Sequence, residues 1–164
     1  MTEVNFKLVE KEDIRELKDI YTYYIENTTS TFHIGDISDE EMSSILFYDD
    51  DIYKSFKIEL NKEIAGYILL CPYKKREADR RSAEVTIYLK HDIIGKGLGR
   101  KSLEFIEEVA KANGIKALLS IICGENTASI KAFENMEYEK VGHLKGVGEK
   151  FGRILDIVIY EKCL

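Results

Sequence analysis

Tryptophan is absent from the 164 residues, and proline occurs once. Cysteine is sparse. Cys71, Cys123 and Cys163 form an odd, widely spaced set with no CxxC pair, which argues for reduced thiols and against a disulfide scaffold or a zinc site. No apolar run approaches the roughly 18 residues that a membrane span needs, so no membrane partner is expected. The first residues, Met1-Thr2-Glu3-Val4-Asn5, have no basic stretch leading into an apolar one. No signal peptide is expected there, and the cytoplasm is the expected location. An excess of positive charge is missing too. Lys+Arg number 24 against 30 Asp+Glu, for a net charge of −6, which excludes a general binder of nucleic-acid backbones but permits a local site for one phosphorylated ligand.

The apolar share of 45% beside 33% charged residues is enough for one hydrophobic core. The length, the lack of linkers and the lack of internal repeats predict a single domain over residues 1–164. Residues 4–9 alternate, with Val4, Phe6 and Leu8 on one face, and predict a first strand. Glu12-Asp13 open a helical pattern through Ile14, Leu17, Ile20, Tyr21 and Tyr24, broken at residues 28–31. A shorter helix is expected from residues 36–40 onward, carrying Met42, Ile45 and Leu46. Two strands follow at residues 55–60 and 64–71, split by Asn61-Lys62-Glu63 without the favoured Asn-Gly. Residues 82–89 alternate again, with Ala83, Val85, Ile87 and Leu89 opposite Ser82, Glu84, Thr86 and Tyr88. Leu98, Leu103, Ile106, Val109 and Ala110 define a helix stopped by Asn113-Gly114. A buried strand (115–122), a helix capped by Asn126 and two strands (138–144 and 154–160) complete a mixed α/β chain. Its antiparallel hairpins stand before and after one βαβ crossover.

Between the strand at 82–89 and the helix from Leu98 lies Ile94-Gly95-Lys96-Gly97-Leu98-Gly99-Arg100. Glycines let backbone approach a ligand closely, and the first amides of a helix point outward unpaired, which suits a phosphate. A P-loop is excluded because Gly95-Lys96 is followed by Gly97 rather than Ser or Thr. A dinucleotide fingerprint is excluded because its third glycine would fall on Arg100 or Ser102. His33, His91 and His143 show no metal-ligand spacing, and Asp49-Asp50-Asp51 lacks the pattern of a calcium loop. No metal is expected.

With these stretches in order, the chain resembles the GNAT superfamily of acetyl-CoA-dependent N-acetyltransferases. Gly97 and Gly99 fit the small positions of the loop Gln/Arg-x-x-Gly-x-Gly/Ala, with Ile94 where Gln or Arg is usual. Thr29-Ser30-Thr31-Phe32, residues 84–89, residues 126–130 and residues 148–153 running to Asp156 resemble the phosphinothricin N-acetyltransferase group. The resemblance implies a mostly antiparallel central sheet with a splayed parallel pair and flanking helices. Acetyl-CoA would lie in the splay, its pyrophosphate on the amides of Gly95, Lys96, Gly97, Leu98, Gly99 and Arg100. Its pantetheine arm would pair with the backbone of Ile87, Tyr88 and Leu89, with Asn126 and Ser129 on the cofactor side of the following helix. Asn126 serves equally as a plain helix cap.

An acceptor ammonium must lose a proton before it attacks a thioester. Glu84 matches the base proposed in that group; its bland alternative is an exposed carboxylate. A backbone N–H near Tyr88 would stabilise the oxyanion. Phe32, Arg80 and Phe133 are the candidates for the acceptor pocket. Phe133 stands where superfamily members often have Tyr and the phosphinothricin group His, so no general acid is expected from that helix. The expected acceptor is the amine of a small amino-acid analogue of the phosphinothricin or methionine sulfoximine type. The alternatives are another amine (a polyamine, an aminoglycoside or a protein N-terminus) or a non-catalytic acyl-CoA sensor, and the resemblance implies a homodimer.

Overall fold

The computed structural model describes residues 3–164, so the leader expectation, resting partly on Met1 and Thr2, lies partly outside them. Seven strands and four helices follow in the order β1 (Val4–Leu8), α1 (Ile14–Asn27), α2 (Asp39–Leu46), β2 (Lys54–Leu60), β3 (Glu63–Pro72), β4 (Ser82–Leu89), α3 (Leu98–Ala112), β5 (Ala117–Cys123), α4 (Thr127–Glu134), β6 (Glu139–Lys150) and β7 (Arg153–Cys163). This is the order that the hydrophobic patterning predicts. The strands form one sheet, β1-β2-β3-β4-β5-β7-β6. Every neighbouring pair is antiparallel except β4 and β5, as the βαβ crossover requires.

Boundaries shift where caps overrule the apolar pattern. The second helix starts at Asp39 because Ser38 and Glu41 form a reciprocal capping box: Ser38 Oγ accepts from the Glu41 amide at 3.1 Å, and Glu41 Oε2 accepts from the Ser38 amide at 2.7 Å. The β2–β3 hairpin closes in two residues. Asn61 and Lys62 both take positive φ, 52° and 72°, the backbone that a tight hairpin demands even without glycine. Leu8, expected inside, is 53% exposed. It ends a strand at the sheet edge, and the buried residue is Val9, whose amide bonds Ser55 O at 3.0 Å.

Alternation along β3 divides the core between the two faces. Tyr67 and Leu69 meet Leu17, Ile20, Tyr21 and Ile25 of α1 and Met42 and Leu46 of α2. Ile68 and Leu70 meet Leu98, Leu103, Ile106 and Ala110 of α3. At the sheet edge Phe6 stacks on Phe105 of α3, ring centroids 4.3 Å apart.

The segment after α1 is tied down by residues far along the chain. Lys150, only 3% exposed, donates to Thr31 O at 2.9 Å. Arg153 grips both oxygens of Glu125 at 2.8 and 2.9 Å, and Thr29 Oγ1 donates to the same carboxylate at 2.6 Å. The Phe32 ring lies against Gly148, where an added Cβ would come within 2.3 Å of it.

Gly66 sets the spacing of β3 and β4. A Cβ there would fall 2.4 Å from Tyr88 O and 2.9 Å from Leu89 Cα, both backbone atoms. Gly66→Ala is therefore expected to lower stability by about 1–3 kcal/mol in urea unfolding, the scale of overpacking. Gly99→Ala, where a Cβ meets nothing within 4 Å, is expected to stay within about 0.5 kcal/mol of the parent.

Candidate active site

The parallel pair is short. It spans only Ser82 to Glu84 of β4 against Ala117 to Leu119 of β5, and then the strands part. On its other side β4 stays paired with β3 up to Leu89. Two bonds fix the direction of its backbone groups: Lys116 N donates to Arg81 O at 2.8 Å, and Lys90 N donates to Ala65 O at 2.8 Å. With two-residue alternation, the N–H and C=O of Val85, Ile87 and Leu89 turn toward the opening, and those of Thr86 and Tyr88 turn toward β3. Near Tyr88, where an oxyanion donor is expected, the amides on the opening side are those of Ile87 and Leu89 and not that of Tyr88 itself. The Leu89 carbonyl already accepts from the Tyr24 hydroxyl at 2.5 Å.

The opening is a cleft of about 910 Å³. It gathers Ile87, Tyr88 and Leu89, the loop residues Gly95, Gly97, Leu98, Gly99 and Arg100, and Asn126, Ser129 and Phe133 of the α4 region. Lys96, grouped with these in the sequence, does not line it. The loop ends at Gly97, the N-cap of α3, with φ 75° and no side-chain cap; Gly95 has φ 90°. Side chains rarely tolerate that conformation, and its result is a rim of free amides at the positive end of a 15-residue helix. Arg100 is tied to Glu104 at 2.8 Å, and Lys131 of α4 is a second cation on the cleft lining.

Asn126 is a helix cap, and it also lines the cleft. Its Oδ1 caps α4 by accepting from the Ser129 amide at 3.2 Å. Its Nδ2 donates to Ser30 Oγ at 3.2 Å across the cleft wall. A backbone edge without a partner strand, a glycine rim with room above it and a ring of polar groups together fit a long phosphorylated thioester such as acetyl-CoA. Phe133, expected beside the acceptor, lines this cleft instead, 2% exposed and edge-on to Tyr138 with centroids 4.9 Å apart. Its helix runs along β5, away from α1 and α2.

A second cavity, of about 750 Å³, opens on the α1–α2 face of the sheet. Strand register pairs Cys71 with Glu84, Leu69 with Thr86 and Tyr67 with Tyr88; Cys71, Leu69, Thr86 and Tyr88 form the floor, and Glu84 lines neither cavity. Tyr21, His33, Ile45, Phe47, Tyr48 and Tyr53 wall it, and Thr86 and Tyr88 line both cavities. The basin and the cleft therefore meet across β4, two residues beyond Glu84. Phe32 lies outside the basin lining, on Gly148. Arg80 lines the basin, but Asp50 holds it in a two-pronged pair at 2.7 and 3.1 Å. This geometry keeps Asp50 below the usual carboxylate range.

Burial raises the pKa of Glu84 above that of an ordinary glutamate, with no neighbouring cation to offset it. Its influence reaches the nearby Cys71 thiol, which desolvation and the Glu84 charge push up to about 12. Cys71 is thus a neutral thiol and no nucleophile at working pH. Tyr48, also raised mainly by burial, donates to Ile45 O at 2.7 Å. Sequence patterning assigned Tyr21 and Tyr24 largely to helix packing and left Thr86, Tyr48 and Tyr53 without a role. The available signal was Tyr21 and Tyr24 at i and i+3 on one helix face, a spacing that core residues share.

Among proteins of known activity, the chain is 28% identical over 158 residues to the phosphinothricin N-acetyltransferase of Streptomyces coelicolor, covering 94% of this chain and 92% of that one. It is 33% identical over 99 residues to the L-methionine sulfoximine/L-methionine sulfone acetyltransferase of Pseudomonas aeruginosa, covering 60% and 58%. A crystal structure of a GNAT superfamily phosphinothricin acetyltransferase from Sinorhizobium meliloti, in complex with acetyl-CoA, superposes with a TM-score of 0.90 at 25% identity over 98% of this chain and 88% of that one. The family described as "Acetyltransferase (GNAT) domain" matches residues 6–159, which takes in the whole cleft and basin, and the chain belongs to the GNAT acetyltransferases.

Proposed function

We propose that this enzyme moves the acetyl group of acetyl-CoA to the amine of a small amino-acid analogue, of the kind represented by phosphinothricin and methionine sulfoximine. The observation that carries this reading is the meeting of two cavities at Thr86 and Tyr88, with a partner-free carboxylate beside the junction. The amides of residues 95–100 would hold the pyrophosphate, and the backbone of Ile87 with the Leu89 amide would pair with the pantetheine arm as an added strand. The acceptor would enter from the basin. Glu84 takes a proton from its ammonium, the freed nitrogen attacks the thioester carbonyl, and an amide of β4 on the cleft side steadies the oxyanion.

The basin also supports an acceptor with an anionic end. Arg80 and Arg76 are spoken for by Asp50 and Asp79, which leaves Lys74 and Lys75 on the rim as the cations for a carboxylate. The expected cytoplasmic location rests on sequence alone; no helix among the described residues is long and apolar enough to cross a membrane. For the homodimer, the support is the edge strand β6, which exposes Val141, Leu144 and Val147. Long apolar edges of this kind invite a second chain.

Thiol release from acetyl-CoA over a panel of amines tests the reading. Methionine sulfoximine and phosphinothricin are expected to stimulate release most. Equal or greater stimulation by a polyamine would redirect the acceptor class, and tight CoA binding without acceptor-dependent release would identify a sensor. Glu84→Gln should lower turnover by a factor on the order of 10²–10⁴ while CoA affinity stays near the parent's. A base works only when ionised, so activity should rise as pH climbs through the raised pKa of Glu84. The acidic limb is therefore expected above the range of an exposed glutamate, and the Gln variant should lose it. Gly97→Val places a β-branched residue at positive φ and should weaken CoA binding at least about tenfold in calorimetry. An unchanged affinity would remove the loop from the cofactor site.

A further inference from the structure

The acceptor basin holds a second group able to take a proton. His33 lies on the exposed segment between α1 and α2 and lines the basin. Its Nδ1 is 2.6 Å from the Tyr21 hydroxyl, which is also 2.7 Å from Thr31 Oγ1. The two rings meet edge to face with centroids 5.7 Å apart, and Tyr21 packs on Tyr88 at 5.1 Å. Tyr21 and Tyr88 both line the basin. The charged group facing His33 from α2 is Glu41.

Acetyl transfer to an ammonium requires somewhere for two protons to go. One leaves nitrogen before attack and is taken by Glu84. The other leaves nitrogen after the C–N bond has formed, as the C–S bond breaks and the thiolate takes up the proton that Glu84 holds. Between those two events Glu84 is already protonated and accepts nothing further. A second acceptor for protons is therefore needed within reach of the nitrogen.

Building on the acetyl-transfer reading above, we propose that His33 receives this second proton by relay through Tyr21. The nitrogen's proton passes to the Tyr21 oxygen as the phenol's own proton passes to His33 Nδ1. The exposed side of the imidazolium then releases a proton to bulk water. Ammonium and thioester become amide, thiol and one free proton, so atoms and charges balance. The relay fixes the resting arrangement of hydrogens. A phenol has a single proton, and neutral imidazole has one donor and one acceptor nitrogen. Tyr21 must donate to Nδ1, and neutral His33 must carry its proton on Nε2.

The test has a spectroscopic arm and a kinetic arm. In the ¹⁵N-labelled chain without acetyl-CoA, neutral His33 is expected as the Nε2–H tautomer; the Nδ1–H tautomer would overturn the relay. With acetyl-CoA and acceptor saturating, His33→Ala should lower kcat about 10²-fold, and added imidazole should restore most of the loss. His33→Gln keeps a hydrogen-bonding partner for Tyr21 but takes no proton, so it should be as slow as the Ala variant and unresponsive to imidazole. Tyr21→Phe should also be slow and unrescued. Acetyl-CoA affinity should be unchanged in all three. Parental kcat in His33→Gln, or a slow His33→Ala that imidazole does not restore, would show that the hydrogen bond or the packing matters and the proton transfer does not. Failure of the unaltered protein to release thiol with every amine would overturn the acetyl-transfer reading and the relay together, an outcome distinct from active variants beside an active parent.

Discussion

Three residue pairs hold β4 to β5, and the whole site depends on their number being so small. A parallel pair that continued to Leu89 would close the sheet, satisfy every backbone group and leave no place for a ligand. By stopping at Glu84, the pair leaves the inward N–H and C=O groups of Val85, Ile87 and Leu89 beside a cavity. Backbone polar groups withdrawn from water without partners cost on the order of 1–3 kcal/mol each. The fold therefore keeps the edge wet or lends it to a ligand with amides of its own. Tyr24 removes one of these obligations by donating to the Leu89 carbonyl, which limits how far along β4 an added strand can pair.

The electrostatics of the two cavities differ in kind. In the cleft, oriented amides at the start of α3 add their positive potential to that of the cations Arg100, which pairs with Glu104, and Lys131. Amides do this with no counter-charge to displace and with directions set by the backbone. Beside the basin, two residues before Thr86 on the same face of β4, stands a carboxylate with no cationic partner, and two arginines near the rim are engaged by aspartates. An unpaired buried acid holds its proton longer than an exposed one, which suits a group that must take a proton and later surrender it to a thiolate.

Much of this was legible in the sequence. Alternation in residues 82–89 placed Glu84, Thr86 and Tyr88 on one face, and the glycine cluster before Leu98 announced a helix start that receives anions. Period and capping signals act locally, so one chain suffices to read them. What escaped were pairings decided by register and by distant segments. Nothing local to Cys71 says that it lies opposite Glu84, and nothing local to Tyr21 says that its hydroxyl meets His33. In sequence Phe32 and Phe133 read as aromatics of the acceptor pocket, whereas their packing against Gly148 and Tyr138 is a tertiary outcome. Arg80 is a substrate-carboxylate candidate by residue type alone, and nothing local to it says that Asp50, thirty residues earlier, claims its guanidinium.

The buried ammonium of Lys150 has a bearing on how the molecule comes into being. Its partner, the carbonyl of Thr31, lies 119 residues earlier in the chain, and Arg153 reaches back through Glu125 to Thr29. During synthesis from the N-terminus, α1 and the β2–β3 hairpin can form from contacts near in sequence. The stretch bearing Thr29, Thr31 and His33 is held by Tyr21, Glu125 and Asn126 alone until Lys150 and Arg153 of the last hairpin have left the ribosome. One wall of the basin is therefore the last part of the protein to be fixed, and its assembly is a closing step of high contact order that follows formation of the sheet.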